Sequence, residues 1–166
     1  MKALFIGRFQ PFHRGHLLLL KEVSQEYEEI IIGIGSSQYG NTLENPFTAD
    51  ERKTMIEQSL EQNKIFNCKI ALIPDIHNPP RWVSHVLSLV SDFDVVLSNN
   101  ALTKQLFSEK GYVVKRTPVF ERDKYSGKEI RRRMIKDKPW EECVPEPVAT
   151  LIKKINGVQR VKNLAD

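Results

Sequence analysis

The sequence predicts a doubly wound α/β fold, a parallel sheet of about five strands with a helical C-terminal extension. Three observations lead there. Five short, near-continuously apolar and β-branched runs recur along the 166 residues, as strands buried on both faces require. Segments of helical spacing separate them, the alternation that produces right-handed crossovers and helices on both faces of a sheet. The chain is 40% hydrophobic and 28% charged, enough to bury a sizeable core at this length.

Taken in order, the runs fall at residues 3–6, 30–34, 70–73, 95–97 and 112–114, each bounded by Gly, Pro, Ser or Asn. Helical spacing fills the gaps at 17–27, 50–62, 81–90 and 101–110. Thr48 and Glu51 form a capping box that starts the second helix. After about residue 117 the alternation stops. A loop over 117–125 leads to a helix at Ser126, where Ser126 and Glu129 give a second capping box. Trp140, Pro145 and Pro147 mark a turn before a closing helix over 148–155. We read one domain, 1–166, with an α/β core over 1–117 and an extension over 118–166.

Composition and charge exclude several classes. No apolar run approaches the ~20 residues of a membrane span, and the N-terminus lacks the cleavage site of a signal peptide. Two cysteines, Cys68 and Cys143, cannot build a disulfide framework, which points to a reducing, cytoplasmic setting. The formal charge of +4 is local: residues 121–138 hold eight basic and four acidic side chains, and the rest of the chain balances. A nucleic-acid binder spreads its basic residues over a face. A concentrated surplus suits a compact polyanion such as a nucleoside triphosphate, or is a solvated helix.

In doubly wound sheets, ligands bind beyond the carboxyl ends of the strands. After the first strand the chain reads Gly7-Arg8-Phe9-Gln10-Pro11-Phe12-His13-Arg14-Gly15-His16 and enters an apolar helix. Gly7 permits close backbone approach. His13 and His16 at the mouth of a helix put ring N–H donors beside its free backbone N–H groups, a phosphate grip. Gly15 leaves room for a ligand against the turn. Zinc is disfavoured because no further ligands accompany the two histidines. The small-residue loop at Gly33-Ile34-Gly35-Ser36-Ser37 has the wrong spacing for a dinucleotide fingerprint, and there is no P-loop.

His13-Arg14-Gly15-His16 resembles the HxGH motif of the nucleotidyltransferase superfamily. Tyr125-Ser126-Gly127-Lys128-Glu129-Ile130-Arg131 resembles that superfamily's second signature, a Ser…Ile-Arg sequence at a late helix start. The longer strings GRFQPFHRGH, LENPFTADER and YSGKEIRRRM are similar to the archaeal-type nicotinamide mononucleotide (NMN) adenylyltransferases along nearly the full chain. Lys128 stands where the signature usually has Thr, and Asn99 where a Ser-Gly-Asn turn has Gly.

The resemblance implies a Rossmann-like fold and transfer of AMP from ATP to the 5′-phosphate of NMN, giving NAD and pyrophosphate. It implies His16 at the α-phosphate, His13 on the triphosphate, and Arg8 and Arg131 on the β- and γ-phosphates. The ATP side would also include Gly7, Phe9, Gly15, Asn99, Ser126, Lys128 and Ile130. The acceptor side would include Ser36, Ser37, Asn45 and Trp82, whose indole either stacks on a pyridinium ring or packs in the core. Mg²⁺ is expected with ATP, held mainly by phosphates and water. Arg132 and Arg133 are left for surface or subunit contacts, and His77 and His85 as surface residues. A homo-oligomer, hexameric by resemblance, is expected, with no nucleic-acid or membrane partner. Two rivals stay open: another acceptor phosphate (nicotinic acid mononucleotide, FMN or phosphopantetheine), and a non-catalytic nucleotide-binding module.

Overall fold

The computed structural model describes residues 1–166. All five strands pair in parallel in the order β3-β2-β1-β4-β5: β1 Lys2–Gly7, β2 Glu29–Gly35, β3 Cys68–Ile73, β4 Val95–Leu97 and β5 Val113–Lys115. The helices are α1 Arg14–Val23, α2 Ala49–Gln62, α3 Trp82–Leu89, α4 Ala101–Glu109, α5 Gly127–Ile135, α6 Glu146–Lys154 and α7 Gly157–Ala165. Alternate strand residues feed two cores. Ala3, Phe5, Ile30 and Ile32 pack under α1, α2, α5, α6 and α7. Leu4, Ile31, Ile73 and Val96 pack under α3 and α4. The doubly wound expectation therefore holds, and each fully buried Leu or Ile in these layers contributes about 1.5–3 kcal/mol.

The strand order reverses at β1, which lies between β2 and β4. β4 ends where Leu97 meets Phe5, so Ile6 and Gly7 run on with a neighbour only in β2. The sheet splits there and leaves a cleft beyond the carboxyl end of β1.

Several boundaries differ from the sequence reading. α1 begins at Arg14, three residues early, because His13 caps it. The Thr48–Glu51 box is complete. At Ser126 only half a box forms: Ser126 Oγ accepts from the Glu129 N–H at 3.2 Å, but the Glu129 carboxylate turns to Arg132 and Arg133. The extension holds a further helix, α7, after Asn156 reverses the chain in a left-handed conformation with φ 56°. Arg160 of α7 grips Glu51 of α2 with two bonds of 2.6 and 2.9 Å and the Pro46 carbonyl at 3.1 Å, so the extension is tied to the loop before α2.

Candidate active site

The two histidines cap each other. The His13 N–H donates to His16 Nδ1 at 3.2 Å and the His16 N–H donates to His13 Nδ1 at 3.4 Å. The rings stack with centroids 3.6 Å apart. A neutral imidazole that accepts at Nδ1 carries its proton on Nε2. This corrects the expected arrangement: the rings take up free N–H groups of the helix mouth, and each presents one Nε2–H. Burial lowers the His13 pKa to about 4. Burial, and then the neighbouring His13, hold His16 well below its ordinary value. Both are therefore neutral donors at pH 7.

Gly15 serves this pair directly, since a Cβ there would lie 2.9 Å from the His13 ring. Phe9, at φ 55°, sends its ring inward against Phe5, Phe12 and His16. It forms the apolar floor on which His16 stands.

Three cavities surround the end of β1. One of about 500 Å³ is lined by Arg8, Phe9, His13, His16, Glu44, Lys128 and Arg131 among others. Arg131 donates from Nη1 to the Gln10 carbonyl at 2.6 Å, and Gly127 keeps that approach open, because a Cβ there would sit 2.9 Å from the same oxygen. Burial, then the charge of Arg8, lowers the Arg131 pKa. Arg8, Lys128 and Arg131 thus bring three cations to one cavity.

A second cavity, of about 530 Å³, shares His13, His16 and Gly127 and extends past Gly15, Asn99, Thr117, Phe120 and Ser126. Asn99 spans its loops, donating to the Thr117 carbonyl and hydroxyl at 3.1 and 2.8 Å and accepting from the Thr117 N–H at 2.8 Å. The Asn that replaces Gly therefore staples the loop after β4 to the loop after β5.

The third cavity, of about 390 Å³, is lined by Gly7, Arg8, Ser36, Asp75, Trp82, Asn100 and Thr103 among others. The half-buried Trp82 opens α3. Ser36, at φ 47°, donates to Asp75 Oδ2 at 3.0 Å. Gln38 clamps the Asp75 backbone, donating to its carbonyl and accepting from its N–H, both at 2.8 Å.

Not every expected residue reaches these cavities. The Ile130 side chain is fully buried in the core. Asn45 is buried in the turn before α2, where its N–H donates to Thr42 Oγ1 at 3.1 Å, and its own Oδ1 has no partner. Ser37 turns its N–H back to the Ile73 carbonyl at 3.3 Å. Arg132 pairs with Glu129, and the partly exposed Arg133 binds Glu129, the Pro139 carbonyl and Glu142. His85 is not a free surface residue, its Nε2 meeting the Pro74 carbonyl at 2.7 Å.

Two residues escaped the sequence reading. Asp75 follows β3 by two positions, at the carboxyl end where ligands bind. Arg52 shares the buried stripe of α2 with Met55, Ile56 and Ser59, a cation on an apolar face.

Residues 4–133 match the cytidylyltransferase-like family. The nicotinamide-nucleotide adenylyltransferase of Thermoplasma volcanium is 47% identical over 99% of this chain and 92% of its own. That of Archaeoglobus fulgidus is 46% identical over 99% and 98%. The chain belongs to this family. In fold, the adenylyltransferase family member resembles a bifunctional NMN adenylyltransferase/ADP ribose pyrophosphatase from Francisella tularensis, solved with AMP and a manganese ion, at TM-score 0.80 and 22% identity. That match covers 98% of this chain and 52% of the Francisella protein, so the adenylyltransferase family member spans about half its length.

A divalent ion fits this family member in one way only. No group of three or more His, Cys, Asp or Glu side chains is placed to hold a metal, and the cavity of about 500 Å³ carries Arg8, Lys128 and Arg131 with Glu44 as its one carboxylate. A protein cage does not fit. An ion carried on substrate phosphates does.

Proposed function

We propose that this protein transfers AMP from ATP to the 5′-phosphate of NMN, forming NAD and releasing pyrophosphate. The observation that carries the reading is the reciprocal His13–His16 cap, which aligns two neutral Nε2–H donors beside Arg8 and Arg131. A phosphate oxygen of NMN attacks the α-phosphorus as the bond to the β-phosphate oxygen breaks. The attacking group is already an anion, so no general base is required, and catalysis consists of positioning and charge stabilisation.

In this reading His16 donates to the α-phosphate as charge builds there, and His13 to the bridging region of the triphosphate. Arg8, Arg131 and Lys128 receive the leaving pyrophosphate. Gly15, Asn99 and Ser126 border the adenosine side, and Gly7, expected there, lines the cavity of Ser36 and Trp82 instead. Trp82 and Ser36 border the acceptor, where an indole face suits a pyridinium cation. Mg²⁺ carried on the ATP phosphates would neutralise part of their charge, and Glu44, the one carboxylate lining that cavity, is the side chain that would face its waters.

A homo-oligomer, hexameric by resemblance, and a reducing cytoplasmic setting that suits two free thiols complete the proposal; light scattering on the native protein checks the first. The activity is tested by incubating the protein with ATP, Mg²⁺ and NMN, with nicotinic acid mononucleotide in parallel, and resolving the products. NAD with an equal amount of pyrophosphate is expected. Absence of any adenylylated product would overturn the reading and leave a nucleotide-binding module.

A further inference from the structure

Arg52 is fully buried, yet no carboxylate receives it. Its neighbour Glu51 is engaged by Arg160 and by the Thr48 N–H. The Arg52 guanidinium instead spends every proton on backbone carbonyls. Nη1 donates to Arg8 and to Gly35, both at 2.9 Å. Nη2 donates to Ser36 at 3.2 Å and to Tyr39 at 3.0 Å. Nε donates to Thr48 at 3.2 Å. Arginine has five such N–H groups, and all five are used.

The carbonyls come from both sides of the cleft. Arg8 follows β1 and borders the proposed triphosphate and acceptor cavities alike. Gly35, Ser36 and Tyr39 form the turn that ends β2 and supplies Ser36 to the acceptor cavity. Ser36 sits there at φ 47°, a left-handed conformation that a non-glycine residue keeps only when its surroundings hold it.

We infer that Arg52, which touches no substrate, is a positioning residue: it locks the backbone of Arg8 to the 35–39 turn and so sets the spacing between acceptor and triphosphate. A buried arginine whose only task was to fill space would be replaced at lower cost by an apolar side chain, since an unpaired internal cation carries a heavy desolvation penalty. Five convergent carbonyls at two ligand-bearing loops give this cation its reason to be there.

The inference rests on the proposed reaction, and its test separates the two. Arg52→Lys keeps the charge but offers three protons, so at least two carbonyls lose their donor. Steady-state kinetics of the folded variant should show the KM for NMN raised about ten-fold or more, with kcat also reduced. A merely structural role would lower the fraction of active protein, counted by pyrophosphate titration, and leave KM unchanged; that result overturns the inference. Wild-type protein without turnover on ATP and NMN would instead overturn the reaction.

If Arg52→Lys does not fold, wild-type protein carrying ¹⁵N-arginine decides the matter. The Arg52 side-chain resonances should shift when NMN alone is added and again when pyrophosphate alone is added. Resonances unmoved by either ligand would overturn the inference.

Discussion

Arg131 Nη1 lies 2.6 Å from the carbonyl oxygen of Gln10, a bond across 121 residues of chain that fastens α5 to the loop carrying the histidines. Gln10 is itself buried and held on both sides, its amide donating to the Phe47 carbonyl and accepting from the Phe47 N–H at 2.9 Å each. The late arginine is thus aimed by the early loop. Arg131→Lys loses the fork that allows one nitrogen to hold Gln10 while another reaches a phosphate. We expect the KM for ATP to rise at least ten-fold with a stability loss of no more than about 1–2 kcal/mol, checked by steady-state kinetics beside a melting curve.

His16→Ala should reduce kcat by about 10²–10³ while the ATP dissociation constant moves only a few-fold. The role assigned to His16 is in the transition state, and a matched loss of affinity and turnover would assign it to ground-state binding instead. Because each ring accepts the other's N–H, the double variant His13→Ala/His16→Ala should lose much less than the product of the single losses. Single-turnover assays on all four proteins measure that coupling.

The buried neutral state of His13 makes stability depend on pH. Its native pKa is about 4 against about 6.5 in an unfolded chain, so between these values the unfolded chain holds a proton that the native one refuses. Stability is then fully present above about pH 6.5 and falls as pH drops toward 4, by up to about 1.4 kcal/mol per pH unit for this one group. His13→Asn keeps a side-chain cap acceptor without the titration and should flatten the slope. Urea unfolding at pH 7, 6 and 5 compares the two proteins; parallel slopes would show that His13 pays no such penalty.

Asp75 places a carboxylate in the acceptor cavity beside Trp82. If the acceptor binds there as proposed, a pyridinium with a neutral carboxamide should be favoured over one with a carboxylate. Asp75→Asn should narrow the preference for NMN over nicotinic acid mononucleotide by about ten-fold, measured as the ratio of kcat/KM values. Trp82→Ala should raise the KM for both acceptors and leave that of ATP unaltered; a KM for NMN that does not move would return Trp82 to a packing role.

The free protein keeps guanidinium groups close together, with burial and the charge of Arg8 lowering the pKa of both Arg52, to about 10, and Arg131. On the proposed reaction, bound pyrophosphate should relieve that crowding. Saturation at a hundred times its dissociation constant should stabilise the fold by about 2.7 kcal/mol, with the effect shrinking as salt rises. Differential scanning calorimetry at two ionic strengths reads both quantities.

The sequence displays what local rules govern. Gly15 between two histidines, the Thr48 and Ser126 caps, and five apolar runs each stand within a few residues of one another, and the strand alternation then locates the cleft. Long-range pairings have no such signature. Nothing near Arg52 announces five carbonyls drawn from Arg8 to Thr48, although a cation in register with Met55 and Ile56 was a sign of unusual burial. The reciprocal histidine cap was hidden because imidazole is read as a donor, and at a helix mouth it accepts instead. The Glu129 carboxylate had two suitors, the backbone at Ser126 and the arginines after it, and the stronger ionic bond to Arg132 won.

At the end of β1, Arg8 lines both the cavity that holds Trp82 and the one that holds Arg131. On the proposed assignment of these cavities, a bivalent inhibitor needs only a short tether: a pyridine nucleotide head bridged past Arg8 to a polyphosphate would present its second half at millimolar effective concentration once the first is seated. Medicinal chemistry on this scaffold gains more from shortening that bridge than from enlarging either head.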